Sequence, residues 1–293
     1  MNYKSKSWDD ILFQILINGF LISILVAVII PMWRVLMMSV TPLSYIDTKT
    51  FGLWIPLTKW TTEAYKQLLS HPSFLRSALN SSIITFGGLV INMLLTVPLA
   101  YALSNRDLPG RKFVITMVMI PFLFSAGLIP TYLVVQKLGL IDSYWAVMLP
   151  GAINIYNLLV MKSFFEGLPE ELKEAARLDG ANELQVLLTV IIPLSKPILL
   201  TIGLFYAVAH WNEFFNAILY LNDAKLQPLP VLLRNILLAA NMNEYVEYDA
   251  FSSASVQSIK AASVFLTMLP MVMIYPWIQS YFTKGTLLGG VKE

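Results

Sequence analysis

Six apolar stretches, each long enough to cross a membrane, constrain this chain more than any other feature. A helix needs about 20 residues to span the hydrocarbon core of a bilayer. If occasional Ser, Thr, Asn and Gly are allowed, the qualifying stretches lie near 12–38, 79–103, 113–136, 144–165, 190–221 and 258–282. The 293 residues are 57% apolar and 13% charged, against about 45–50% and about 25% in soluble domains. The sequence predicts an all-α polytopic membrane protein with six transmembrane helices, residues 1–293 forming one transmembrane domain.

Lys and Arg are spread unevenly over the connections between these stretches. Residues 104–112 hold three in nine positions, and 166–189 hold Lys173 and Arg177. The longer connections 39–78 and 222–257 carry only four and two. Cytoplasmic connections are enriched in these residues. Both termini and 166–189 are therefore predicted to be cytoplasmic, with 39–78 and 222–257 external.

Several kinds of chemistry are excluded by residues that are missing. The chain has no cysteine, which removes disulfides and thiolate metal sites. A single histidine such as His210 lacks the partners that a metal site needs. No G-x-x-x-x-G-K-[ST] phosphate loop occurs, and no nucleophile, metal cluster or acid-base pair is arranged for catalysis. We therefore expect a non-enzymatic chain with no catalytic, cofactor-binding or metal-binding residues.

The hydrophilic segment 167–197 carries the signals of two short helices with a turn between them. Pro169 suits a first helical position, followed by two glutamates at the positive end of the helix dipole. Gly180 can adopt the left-handed conformation that ends a helix. Asn182 and Gln185 have the spacing of a capping box for the next helix. We predict a first helix within 168–181.

The predicted helix has an apolar face made partly of alanine. Leu168, Leu172, Ala175 and Ala176 share one face, and the basic residues lie on another. So short a helix is not stable alone in water, while its small side chains allow another surface to approach the backbone. The pattern therefore indicates a helix that docks into a groove on a cytoplasmic partner.

The same segment resembles a known family motif. EAARLDGA at Glu174–Ala181, followed by Ile191, Pro193 and Pro197, is similar to the EAA motif of permease subunits in binding-protein-dependent ABC importers. Leu187 departs from it, because many members have an aromatic residue near this position. The resemblance extends to NSSIITFGG, PLAYALSNRDLPGRK, GLIPTYLVVQKLGLIDSYWAVMLP, WNEFFNAILYL and the terminal KGTLLGGVKE. These are similar to the maltose-permease-like branch, and most similar to importers of alginate and other acidic polysaccharide fragments.

This resemblance implies the type I ABC importer fold and an ATP-driven oligosaccharide importer of the bacterial plasma membrane working by alternating access. The implied partners are a second related permease, two cytoplasmic P-loop ATPase subunits that bind ATP and Mg²⁺, and an external solute-binding protein. The predicted helix would be the coupling helix seated in one ATPase. Its coupling residues would be Glu174, Ala175, Ala176, Asp179 and Gly180.

Polar residues within the apolar stretches are candidates for a sugar pathway. Ionisable side chains at membrane depth face a cavity or a partner rather than lipid. Tyr206, His210, Glu213 and Ala217 are placed on one helical face, with Asn216 near its edge. Asn154 and Asn157 could face the same cavity. The alternative is ordinary helix packing, in which asparagine and glutamate bond to neighbouring helices.

Two other classes of function remain as alternatives. An ion-coupled secondary transporter would often show inverted repeats with broken helices, and no such repeat is visible. An integral-membrane enzyme would need a catalytic constellation. In the external connection 222–257, the acidic residues Glu244, Glu247 and Asp249 would repel a polyuronate unless they point toward the binding protein.

Overall fold

The computed structural model of the chain describes residues 8–45, 54–239 and 256–289. In this part of the chain the regular secondary structure is helical, which confirms the all-α prediction there. Short 3₁₀ turns occupy Leu43–Tyr45 and Leu57–Lys59, and a π-helical turn occupies Leu187–Ile191. The α-helices are α1 (Trp8–Ser39), α2 (Glu63–Ser70), α3 (Pro72–Ser104), α4 (Arg111–Leu123), α5 (Leu128–Lys137), α6 (Trp145–Met148), α7 (Ile155–Glu166), α8 (Glu170–Leu178), α9 (Glu183–Val186), α10 (Ile192–Leu194), α11 (Lys196–Trp211), α12 (Phe215–Tyr220), α13 (Leu229–Ala239) and α14 (Val256–Gly289).

The chain divides into two compact units, of which the first comprises Met1–His71 and Asn235–Met268. Its longest helix, α1, keeps its most apolar stretch exposed. At the end of α1 the chain is fastened by side chains: the Ser39 hydroxyl hydrogen-bonds the Tyr65 hydroxyl, and Ser258 donates to the carbonyl of Thr41. The apolar surface of α1 is thus left for lipid or another chain.

The second unit comprises Pro72–Arg234 and Leu269–Glu293. Its centre is α3, which packs most extensively on α11 and α7. The core combines residues of these three helices with residues of α9 and the π-helical turn. The buried members are Val97, Ala100, Leu103, Leu158, Met161, Phe165, Val186, Leu187, Ile191, Ile202 and Tyr206. The segment that follows the predicted docking helix is therefore part of the bundle.

Three helices of the described chain are long and apolar enough to cross a membrane, namely α1, α3 and the first part of α14. Two bent pairs pass the same test when each pair is taken together. The chain bends by 116° between α4 and α5, and by 87° between the segment Glu183–Leu194 and α11. Between three and five candidate spans are therefore present in these residues.

Three of the apolar stretches are interrupted where the sequence suggested continuous helices. Stretch 113–136 breaks over residues 124–127, between α4 and α5, and Gly127, with a positive φ of 83°, precedes α5. Stretch 144–165 breaks between α6 and α7, and the 12 residues of α7 extend only about 18 Å. Stretch 190–221 breaks at Ser195. Two residues later comes Pro197, whose ring nitrogen cannot donate a helical hydrogen bond.

One expectation about the fifth stretch is wrong. Tyr206, His210, Glu213 and Ala217 do not share one helical face, because α11 ends at Trp211 and Ala217 belongs to α12. Asn212 caps α11 with its amide bonded to the carbonyls of His210 and Val208. The acidic residues Glu244, Glu247 and Asp249 lie outside the described residues.

Candidate functional site

The predicted docking helix forms, and it is shorter than the range 168–181. Pro169 lies one residue before the first turn, with extended ψ of 126°, and α8 then runs from Glu170 to Leu178. Gly180 has φ of +87°, and the N–H of Ala181 donates to the carbonyl of Ala176 at 3.0 Å. This is the hydrogen bond that closes a helix through a left-handed glycine. The stop signal at Gly180 is confirmed.

The capping box predicted for the next helix is also present. The Asn182 side chain accepts from the N–H of Gln185 at 2.9 Å, and the Gln185 side chain accepts from the N–H of Asn182 at 2.8 Å. Two N–H groups that would otherwise lack partners are thereby satisfied. Leu187, which departs from the family pattern, is buried and opens the π-helical turn.

Helix α8 buries a charged residue in the bundle, and its predicted docking face is only partly exposed. The buried residue of this helix is Lys173, only 4% exposed, whereas Leu172 is 44% exposed. Leu168, Ala176 and Ala181 pack against the core. The charged end of Lys173 is neutralised by Glu170 at 2.7 Å, so the inner side of the helix is partly ionic rather than wholly apolar.

Beside the buried Lys173, four leucines of this segment are exposed, and we call them the docking surface. Leu178 is 89% exposed, and the exposed fractions of Leu184 and Leu188 are 63% and 53%. With Leu172 these residues form the docking surface, on the outside of a short hydrophilic segment. Leucines left exposed on a hydrophilic segment are candidates for a partner interface.

The predicted coupling residues lie around the docking surface. Glu174, Ala175 and Asp179 are exposed, and Gly180 forms the exposed turn after them. Ala176 is half-buried because it packs on the core. Four of the five predicted residues are thus accessible to a partner, and the fifth supports the helix from within.

A chain of charged groups extends from the buried Lys173 along α8 to its exposed surface. Glu170 accepts from Lys173 at 2.7 Å and from Arg177 at 3.3 Å. Arg177 also donates to Glu183 at 2.9 Å. The hydrogen bond from Lys173, opposed by partial burial and aided by Arg177, lowers the pKa of the Glu170 carboxyl. The hydrogen bond to Glu183 raises the pKa of the Arg177 guanidinium.

A buried polar layer joins α3, α7 and α11. Nδ2 of Asn92 lies 3.1 Å from Nε2 of His210, and the Thr96 and Tyr206 hydroxyls are 2.8 Å apart. The Tyr206 hydroxyl also accepts from the N–H of Asn154 at 3.1 Å. These contacts bring Tyr206, His210 and Asn154 into one layer. Each of these residues has a hydrogen-bond partner within the bundle.

The remaining pathway candidates act as helix caps. The Asn154 side chain accepts from the N–H of Asn157 at 3.1 Å and so begins α7. Glu213 accepts from the N–H of Asn216 at 3.1 Å and from its side-chain amide at 3.0 Å. Glu213 thereby satisfies a backbone donor in the first turn of α12. Whether any of these residues also contacts sugar stays a prediction.

The family is decided by comparison with known proteins. Residues 85–287 match the family described as binding-protein-dependent transport system inner membrane component. The chain belongs to this family. It is 41% identical, over 96% of its length and 98% of the relative's, to the polygalacturonan/rhamnogalacturonan transport system permease protein YtcP of Bacillus subtilis. It is also 43% identical, over 80% of its length and 79% of the relative's, to protein LplC of the same organism.

A solved structure supports the same conclusion about this inner membrane component. It is a chain in the crystal structure of a bacterial ABC transporter involved in the import of the acidic polysaccharide alginate, and the TM-score is 0.88 at 31% identity. The match covers 95% of this chain and 99% of that one. The chain is therefore an ABC importer permease subunit for sugars or oligosaccharides, with the ABC permease fold. The comparisons lend no support to the ion-coupled alternative.

Two side-chain contacts near the ends of α3 were not predicted from the sequence. Near one end, buried Asn80 donates to the carbonyls of Lys225 and Gln227 at 2.9 and 3.0 Å. Near the other, Tyr101 donates to Glu183 at 2.6 Å. A lone Asn or Tyr in an apolar stretch gives no sign of a partner more than 80 residues away, so neither contact could be predicted.

Proposed function

We propose that this permease carries acidic oligosaccharides across the bacterial plasma membrane, from an external solute-binding protein into the cytoplasm. It would cross the membrane six times, with both termini and 166–189 in the cytoplasm and residues 1–293 acting as one transmembrane domain. Support for an acidic substrate comes from the relatives, whose names refer to polygalacturonan, rhamnogalacturonan and alginate. Each of these polysaccharides contains uronic acids.

The docking surface is the observation that carries the coupling part of the proposal. A second related permease would complete the pathway, and two P-loop ATPase subunits would bind ATP and Mg²⁺. One ATPase would receive Leu172, Leu178, Leu184 and Leu188 in an apolar groove. Coupling requires that the docked ATPase bind the inward-facing and outward-facing conformations with different affinity. The rigid caps around the docking surface favour transmission of such a difference.

The proposed coupling is tested by replacing Leu178 with glutamate. Burial of one leucine contributes about 1.5–3 kcal/mol, so Leu178→Glu should weaken ATPase binding by about tenfold or more. The matched control is Leu57→Glu, a similarly exposed leucine in a 3₁₀ turn of the external connection. Co-purification of the ATPase with each variant, and uptake in membrane vesicles, gives the readout. Equal ATPase recovery from both variants would refute the docking surface.

The substrate class is tested separately in the complete importer. Oligogalacturonates or alginate oligosaccharides, presented with the loaded binding protein, should stimulate ATP hydrolysis. Neutral malto-oligosaccharides of the same length serve as the control. Stimulation by the neutral sugars alone would reject the acidic substrate while leaving the permease function in place.

A further inference from the structure

We propose that Tyr101 is a positioning residue that fastens the docking surface to α3, so that movement of the docked ATPase reaches the membrane bundle. This rests on the proposed function, since it assumes that an ATPase seats on the docking surface. The geometry points to one continuous chain of hydrogen bonds. Its members, in order, are Lys173, Glu170, Arg177, Glu183 and Tyr101.

The first part of this chain holds α8 to α9. Arg177 bridges two carboxylates, since its Nη1 donates to Glu170 at 3.3 Å and its Nε to Glu183 at 2.9 Å. Glu170 lies at the start of α8 and Glu183 at the start of α9. The bridge thus crosses the turn at Gly180. The two helices that carry the docking surface are joined by this bridge as well as by the backbone.

The second part joins these helices to α3. Tyr101 lies in the last turn of α3, and its hydroxyl donates to the second carboxylate oxygen of Glu183 at 2.6 Å. Hydrogen bonds to a charged acceptor are about twice as strong as neutral ones. Glu183 therefore accepts from Arg177 with one oxygen and from α3 with the other. It is a point at which a side-chain hydrogen bond joins the docking segment to the bundle.

Helix α3 carries any displacement onward to the polar layer. Thr96 and Asn92 lie about 7 and 13 Å from Tyr101 along the helix axis. They bond to Tyr206 and His210 of α11. Helix α3 is continuous between these residues, with Pro98 inside it, so we expect a displacement of Tyr101 to reach the layer that joins α3 to α11.

The test separates coupling from folding and from docking. Tyr101→Phe removes one hydroxyl and keeps the ring that packs against the core. The matched control is Thr116→Val on α4, which also removes one hydroxyl, here bonded to the Lys112 carbonyl of the same helix. Each variant is purified as the complete importer and reconstituted with its binding protein. Sugar transported and ATP hydrolysed are measured together.

We expect Tyr101→Phe to assemble with the ATPase and to hydrolyse ATP at a rate close to that of the native importer. Sugar transported per ATP should fall by about two- to fivefold, because the bond to Glu183 is exposed to solvent and contributes less than a buried one. Glu183→Gln, which keeps the shape and removes the charge, should lower the same ratio. Thr116→Val should leave it unchanged.

An unchanged transport ratio in both Tyr101→Phe and Glu183→Gln would overturn the inference. A parallel fall of hydrolysis and transport would also overturn it, because the two would then still be coupled. Failure of the proposed function looks different. In that case the native chain would recover no ATPase, and no ratio could be formed for any variant.

Discussion

Gly88 is the position where a single methyl group should do the most damage inside the bundle. It is buried on α3 opposite His210. A Cβ added there would lie 2.6 Å from both Cδ2 and Cε1 of the His210 ring, and closer still to Nε2. Carbon atoms normally approach no closer than about 3.5 Å. His210 is 8% exposed and bonded to Asn92, so the ring must move and lose that bond.

The expected loss of stability follows from two contributions. Overpacking a filled interior costs about 1–3 kcal/mol, and the lost hydrogen bond to Asn92 about 1 kcal/mol. Removing a helical glycine returns up to about 1 kcal/mol, so we expect Gly88→Ala to lower the free energy of unfolding by about 1–3 kcal/mol. Gly203→Ala on α11 is the control, because its new Cβ would meet only Leu89 Cδ1 at an ordinary 3.7 Å. Removing a glycine from a helix should stabilise that variant by up to about 1 kcal/mol.

Unfolding of the purified protein in detergent, titrated with a denaturing surfactant and followed by tryptophan fluorescence, measures both variants. In a double-mutant cycle with His210→Ala, the loss should be less than additive, because the clash disappears with the ring. A Gly88→Ala protein as stable as Gly203→Ala would refute the close contact between α3 and α11. An additive double variant would refute His210 as its cause.

Two further predictions concern the ends of α3 and α8. The hydrogen bond from Lys173, opposed by partial burial and aided by Arg177, lowers the pKa of Glu170 from its ordinary value of 4.5. The stabilisation is therefore present above that value and lost as the pH falls through the lowered pKa. The denaturation midpoints of the native protein and Glu170→Gln should differ less at low pH than at neutral pH. A difference between these midpoints that is the same at every pH would contradict this. Asn80→Ala removes three hydrogen bonds and orphans two carbonyls, which should cost about 3 kcal/mol and speed amide exchange just after α12. The control is Ser82→Ala, because the Ser82 hydroxyl bonds within its own helix. Equal amide exchange in the two variants would refute the role of Asn80 in holding residues 225–227.

The docking helix shows what local sequence can establish. Its end at Gly180 and the capping box at Asn182 depend on residues three to five positions apart, and both are confirmed. The burial of Lys173 was not predictable in this way. The sequence indicated only that Lys173 lies on a face other than the apolar one, and a carboxylate three residues away allows it to be buried in the bundle. That choice depends on what the rest of the bundle presents to the helix.

By itself, the sequence determined the class of protein, the main apolar helices and the place of the docking segment. These follow from length, hydrophobicity and short-range capping, which act within a few residues of the chain. The tertiary structure decided where the apolar stretches break and which side of α8 is exposed. It also decided the pairing of Tyr101 with Glu183 and of Asn92 with His210. Those pairs are distant in the sequence, and only the packing of α3 against the other helices brings their polar atoms within bonding distance.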